Sequence, residues 1–170
     1  AGPSCESCHG PSSDWFPIHN DYGSGADRDT ESAEHKAQRI RKAAAAGMVW
    51  PSETFDLAQN CFRCHGMTRD GLSGDTIAKM MEAGHPINPD YELVRYSQGS
   101  VRHRFYPPDI TKNAEMTPPE LARFFITGHA ASLVSATRAL RISDHPKYVA
   151  AQKARIGAAK AALQAIQDRK

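Results

Sequence analysis

Apolar residues cluster at helical spacing, and the clusters are separated by polar stretches rich in glycine and proline. Residues 1–31 read as loop: Gly10, Pro11, Pro17, Gly23 and Gly25 stand among many Ser, Asp and Asn. A helix is expected from near Ser32 to about Ala46, stopped by Gly47. After the Met48-Val49-Trp50-Pro51 turn, Ser52 with Phe55, Leu57 and Ala58 begins a short helix, and a further helix is expected from Gly74 to Ala83. The segments Glu92–Arg95 and Val101–Tyr106 read as short extended or helical pieces, and Pro107-Pro108 breaks the chain. Thr117-Pro118-Pro119-Glu120 is a strong helix start, with a Thr cap, proline in the first turn and Glu three residues on. That helix carries Leu121, Phe124, Phe125 and Ile126, with a weak point at Gly128. Asp144-His145-Pro146 opens a last, alanine-rich helix. Its stripe of Val149, Ile156, Leu163 and Ile166 suits packing on the chain's own core, or a seam between two copies.

These elements predict a mainly α fold of short helices and long loops with two longer C-terminal helices. At 170 residues the length suits one domain, residues 1–170, with a first part over about 1–106 and a C-terminal helical part over about 115–170. Hydrophobic content is 40% and aromatic content 8%, a thin apolar supply for a core of this size.

Charge narrows the function classes. The formal net charge is +2, and no Lys/Arg block or aromatic-interleaved basic patch suggests nucleic acid. Acidic residues crowd the first third (Glu6, Asp14, Asp21, Asp27, Asp29, Glu31, Glu34, Glu53, Asp56), and the last stretch is basic (Lys147, Lys153, Arg155, Lys160, Arg169, Lys170). No run of about 18 apolar residues marks a membrane span. The opening Ala1-Gly2-Pro3 reads as a mature terminus left after removal of an export signal.

The chemistry sits in two pentapeptides, Cys5-Glu6-Ser7-Cys8-His9 and Cys61-Phe62-Arg63-Cys64-His65, which use all four cysteines. Each is C-x-x-C-H, the attachment signature of a covalent c-type haem. Its two thiols add to the haem vinyl groups, and the adjacent histidine meets the iron from one face. A Cys₄ zinc site would leave both histidines idle, and two disulfides would give no reason for a histidine after each pair. The pattern therefore points to two haem c groups held by Cys5, Cys8, His9, Cys61, Cys64 and His65. Around these porphyrins the short helices and loops are expected to wrap, repairing the thin apolar supply. Covalent attachment of this kind takes place outside the bacterial cytoplasm, so the protein is expected to be periplasmic or exported.

Of eight histidines, six stand outside the motifs: His19, His35, His85, His103, His129 and His145. That supply points to histidine on both sides of each iron, the ligand set of low-potential carriers. Each has an ordinary alternative: His19 and His103 as propionate partners, His35 as an exposed first-turn residue, His85 as a helix-terminal residue, His129 as a packed helix residue, and His145 as a cap. Met67 is too close to its own motif to reach the opposite face, and Met80 and Met81 read as core. Trp15-Phe16-Pro17-Ile18-His19 is an apolar patch expected against the first haem, and Arg102 and Arg104 suit its carboxylates or those of the second.

The run Cys5–His9, Gly10-Pro11, Trp15 and His19 resembles the CxxCHGP…W…H segment of multihaem c-type cytochromes related to the tetrahaem electron carrier of ammonia oxidisers. In that family a histidine opening a helix between haem motifs serves a haem attached later in the chain; the matching position is His35. Members also carry A-G-H-P followed by F-E-L, and this chain reads Ala83-Gly84-His85-Pro86, then Tyr91-Glu92-Leu93. The resemblance covers roughly residues 5–95. It implies His85 as distal ligand to the first haem and His35 to the second, with His19 and His103 in reserve. Each iron would then tie together distant parts of the chain. The chain departs from the family in having two haem motifs only.

The expected function is outer-sphere electron transfer between redox partners by transient docking, without catalysis. The rivals are a small haem enzyme or a gas sensor with one five-coordinate iron, and a subunit of a larger complex, or a homodimer, joined through the C-terminal helix. Replacing all four cysteines by alanine should leave a chain without a cooperative unfolding transition in far-ultraviolet circular dichroism; a native-like, cooperative fold in that variant would refute the dependence on haem.

Overall fold

A computed structural model describes residues 4–100 and 111–169. The fold is mainly helical, and no strand occurs among the described residues. Seven α-helices run in the order α1 Cys5–His9, α2 Phe16–His19, α3 Ala33–Ala45, α4 Thr54–His65, α5 Gly74–Glu82, α6 Pro118–Ala139 and α7 Pro146–Gln167, with a π-helical turn at Arg95–Ser100 before α6. The expected segment Val101–Tyr106, with Arg102, His103 and Arg104, lies outside the described residues. No described helix is long and apolar enough to cross a membrane.

The chain forms two compact units, Ala1–Glu53 and Thr54–Lys170, and each carries one C-x-x-C-H. In the first, the stretch read as loop contains two short helices. Ser4 and Ser7 close the start of α1: the Ser4 amide donates to Ser7 Oγ at 3.1 Å, and the Ser7 amide to the Ser4 carbonyl at 2.9 Å. Pro17 falls in the first turn of α2, where its missing amide costs nothing. Pro17, one of the residues that signalled loop, is here a helix-starting residue, while Gly23 and Gly25 stay outside helices as expected. Helix α3 begins as expected, with Ser32 Oγ accepting from the His35 amide at 3.2 Å. The core of this unit is small: Trp15, Ala43 and Met48, with Ile18, Ala46 and Trp50 packed at its edge.

A polar network supplements that core. Arg39 donates to Glu31 through Nε (2.8 Å) and Nη2 (2.6 Å), and its Nη1 donates to the His19 carbonyl. Glu31 also accepts from His35 Nδ1 at 2.7 Å. The Arg39 guanidinium, then His35, hold the Glu31 carboxyl down at about 2.

In the second unit, α6 packs on both α4 and α7, and α5 on α7. Helix α6 starts as its sequence dictates: the Thr117 amide donates to the Glu120 carboxylate at 2.8 Å. Gly128 is not a weak point. The helix continues through it, and the missing side chain makes room for Leu93: a Cβ would stand 2.8 Å from Leu93 Cβ. One core gathers Ala58, Phe62, Tyr91, Leu93 and Ala131; the other gathers Met67, Ile77, Met81, Ala139 and Tyr148. The expected stripe on α7 is displaced by one position. Val149, Ile156, Leu163 and Ile166 are half-buried, and the buried face is Tyr148, Ala151, Gln152, Arg155 and Ala159. Ile166 instead lines an apolar groove of about 400 Å³ with Val94, Leu121, Phe125 and Ile126.

Two outcomes follow. Gly128→Ala gains about 1 kcal/mol of helix propensity but overpacks against Leu93 at a cost of about 1–3 kcal/mol, so net destabilisation is expected in denaturant titration. The folded-state pKa of Glu31 is depressed, so its ion pair contributes fully above the unfolded value near 4.5 and fades as pH falls toward about 2. Glu31→Gln should therefore be less stable than wild type at pH 7, with the gap closing between about pH 4.5 and pH 2 in acid-series guanidinium melts.

Candidate functional site

The first pentapeptide is itself a helix, so Cys5 and Cys8, three residues apart, project from one face. Cys5 is exposed and Cys8 half-buried, and none of the four cysteines forms a disulfide. His9 is pinned by reciprocal bonds to one residue. Its Nδ1 lies 2.7 Å from the Val49 carbonyl oxygen, and the Val49 amide donates to the His9 carbonyl at 3.0 Å. A carbonyl only accepts, so Nδ1 carries the proton and the Nε2 lone pair is left to bind something else. That is the tautomer a metal-ligating histidine needs, with its second nitrogen fixed by an acceptor. The turn fits because Gly10 has no side chain: a Cβ there would stand 2.8 Å from the Gly47 carbonyl oxygen.

The other two histidines of this unit repeat the pattern. His19 Nδ1 donates to the Phe16 carbonyl at 2.7 Å, and His35 Nδ1 to the Glu31 carboxylate at 2.7 Å. In both, Nε2 is the remaining ligand atom. Arg39 joins the two, holding Glu31 on one side and the backbone of His19 on the other. The apolar run before His19 divides: Trp15 is in the core, and Phe16 is 60% exposed beside the His19 ring, centroids 5.4 Å apart.

The second pentapeptide ends α4, and Cys61 and Cys64 again share a face. Cys61 packs against the core that contains Phe62 and Tyr91, while Cys64 is exposed. The His65 ring stacks on Tyr91 with centroids 4.1 Å apart. Burial, and then the positive charge of Arg155, push its pKa down, favouring the neutral imidazole that ligation requires.

The helix closes through a left-handed residue that is not glycine. Met67 has φ 51°, its amide donates to the Cys64 carbonyl at 3.1 Å, and the Thr68 amide donates to the Arg63 carbonyl at 3.1 Å. Gly66, the obvious candidate for that role, is needed for space: a Cβ there would collide with Arg155 Nη1 and lie 2.7 Å from the Phe62 carbonyl oxygen. Helix α7 grips these two residues. Gln152 Nε2 donates to the Gly66 carbonyl at 3.0 Å, and Tyr148 Oη to the Met67 carbonyl at 3.1 Å. Arg155 is 2% exposed, donates through Nη1 to Gln152 Oε1 at 2.6 Å, and lies over the Phe62 ring at 4.4 Å. Among the described residues its Nε and Nη2 have no hydrogen-bond partner. Burial lowers its pKa to about 10 and raises that of Tyr148 to about 12, so Arg155 is a cation and Tyr148 a phenol at neutral pH.

The remaining histidines are scattered. His85 is exposed and follows Gly84, whose φ of 80° ends α5; the His85 amide donates to the Met80 carbonyl at 2.9 Å. His129 is half-buried in α6 against Phe125, and burial lowers its pKa. His145 is the N-cap residue of α7. Met67 and Met81 are core, and Met80 is half-buried beside them. His103 lies outside the described residues. The first unit thus holds His9, His19 and His35, and the described part of the second holds His65, His85, His129 and His145.

No group of three or more His, Cys, Asp or Glu among the described residues is close enough together to hold a metal ion by itself. A haem needs no such group, because the porphyrin supplies four nitrogens and the protein only thiols and one or two imidazoles. Paired thiols on one helical face, with His9 fixed in the Nδ1–H tautomer and His65 kept neutral, suit that division of labour.

Glu31, Arg39, Tyr148, Gln152 and Arg155 were not singled out by their sequence as parts of these sites. The only trace of the last three was the glycine directly after the second motif. Comparison with protein-family models, curated proteins and solved structures finds no match to this chain.

Proposed function

We propose that the protein is a dihaem c-type cytochrome, exported from the cytoplasm, that passes electrons by outer-sphere transfer between redox partners. Cys5 and Cys8 would hold one haem and Cys61 and Cys64 the other, with His9 and His65 as proximal ligands. When bound, each haem supplies a one-electron iron couple; the chain makes and breaks no substrate bond. The observation that carries the reading is the His9–Val49 pair, which commits Nδ1 to a backbone carbonyl and leaves Nε2 for a metal.

The chain's own residues have definite tasks. Val49 sets the tautomer and ring orientation of His9. Glu31 does the same for His35, and as a carboxylate it also makes the imidazole a stronger donor. Exposed Phe16 offers apolar surface that a porphyrin edge would cover. His35 and His85 are the distal ligands by resemblance, with His19, which has the same Nδ1 arrangement, and His103 in reserve. Partners dock transiently, as redox encounters with small interfaces do.

The purified protein should exceed its polypeptide mass by two haems, with low-spin ferric spectra unchanged by cyanide and ferrous spectra unchanged by carbon monoxide. Alanine at a true distal ligand among His19, His35, His85 and His103 should turn one haem high-spin and leave the other low-spin. A native sample with the bare polypeptide mass would end the proposal. A ligand-binding high-spin haem in the wild type would favour an enzyme or gas sensor instead.

A further inference from the structure

The second unit buries a full positive charge for which no described carboxylate provides a partner. Arg155 is 2% exposed, and two of its guanidinium nitrogens make no hydrogen bond to any described residue. Its close neighbours are neutral: Gln152 Oε1, the Phe62 ring, and the backbone at Gly66. Phe62 lies inside the second motif, and Gly66 directly follows its histidine. A neutral side chain of similar length would fill this space without the cost of desolvating an ion. The bond to Gln152 needs only one N–H, which a neutral donor could supply, so neither that bond nor packing requires a full charge here. The surroundings do give the charge reach, because a low-dielectric interior screens it far less than water does.

We propose that Arg155 is a fixed buried cation that raises the reduction potential of the haem carried by Cys61, Cys64 and His65. The inference rests on the second motif holding a haem. Reduction takes that iron from Fe(III) to Fe(II) with one electron from a one-electron redox protein, and no bond forms or breaks. With a haem held at this motif, the step would add one negative charge to the site that Arg155 adjoins through Phe62 and Gly66, so the cation would favour the reduced state. Charge and hydrogen bonding around a haem are among the levers by which a protein sets its potential. Arg155 ligates nothing; it is a positioning residue that acts through the field at His65 and Gly66.

The test is a spectroelectrochemical titration of the purified, haem-loaded protein and of Arg155→Met, Arg155→Gln and Arg155→Lys. Wild type should give two midpoints. In Arg155→Met and Arg155→Gln one midpoint should fall, the one-electron equilibrium shifting on the order of tenfold (about 59 mV), while the other stays put. Arg155→Lys, which keeps the charge, should hold both midpoints near the wild-type values. If Met fails to fold at this position, the Gln and Lys variants decide the matter. The inference is overturned if both haems are present and neither midpoint moves, if both move equally, or if lysine lowers the potential as far as the neutral residues do. In each of those cases the dihaem reading stands. Absence of haem from the second motif would overturn both.

Discussion

The second unit is organised around a grip on two peptide groups. Tyr148 and Gln152, from the buried face of α7, hold the carbonyls of Met67 and Gly66, and Arg155 fills the space above Gly66 and over Phe62. These bonds lie in the interior, where a carbonyl without a donor would cost about 1–3 kcal/mol. They also explain the unusual end of α4. Met67 takes the left-handed conformation that glycine adopts more cheaply, because the glycine is needed one residue earlier, where the guanidinium approaches. The geometry of the second pentapeptide therefore depends on a helix far along the chain, through contacts made to backbone.

The first unit solves the same problem with local material. Its pentapeptide is a helix on its own, and the partner that orients His9 is the turn just after α3. Its apolar core is slight, and much of its definition comes from Arg39, which bridges a carboxylate and a backbone carbonyl. Both units thus present thiols at an accessible helical face and keep the following histidine from wandering. One does so with a reciprocal backbone pair, the other with ring stacking and a buried cation.

Much of this was legible in the residues. Helix starts with side-chain caps were plain: Ser32 before α3 and Thr117 with Glu120 before α6 both act as their sequences indicate. The placement of the thiols was equally plain, since a three-residue spacing puts each pair on one helical face. What was hidden depended on partners distant in sequence. Gly128 looked like a flaw in α6 until Leu93 was found crossing there. The apolar residues of α7 suggested a buried stripe, but the buried face is one position over and carries Gln152 and Arg155, polar types that a periodicity argument assigns to solvent. Short helices α1 and α2 were hidden for the opposite reason: their proline and serine are common to loops and to helix starts, and only the closed hydrogen bonds distinguish the two.

The unequal reach of the two clamps bears on the order in which the chain acquires its structure. His9 and Val49 are 40 residues apart, whereas Tyr148 and Gln152 lie 81 and 86 residues beyond the carbonyls they hold. Contacts of greater sequence separation carry a larger loop-closure cost and form later. As the chain emerges from N to C terminus, the clamp on His9 can close soon after residue 50, while the backbone after Cys61 and Cys64 stays unheld until α7 has been delivered. The second thiol pair thus has the longer interval in which its surrounding backbone is unfinished and accessible.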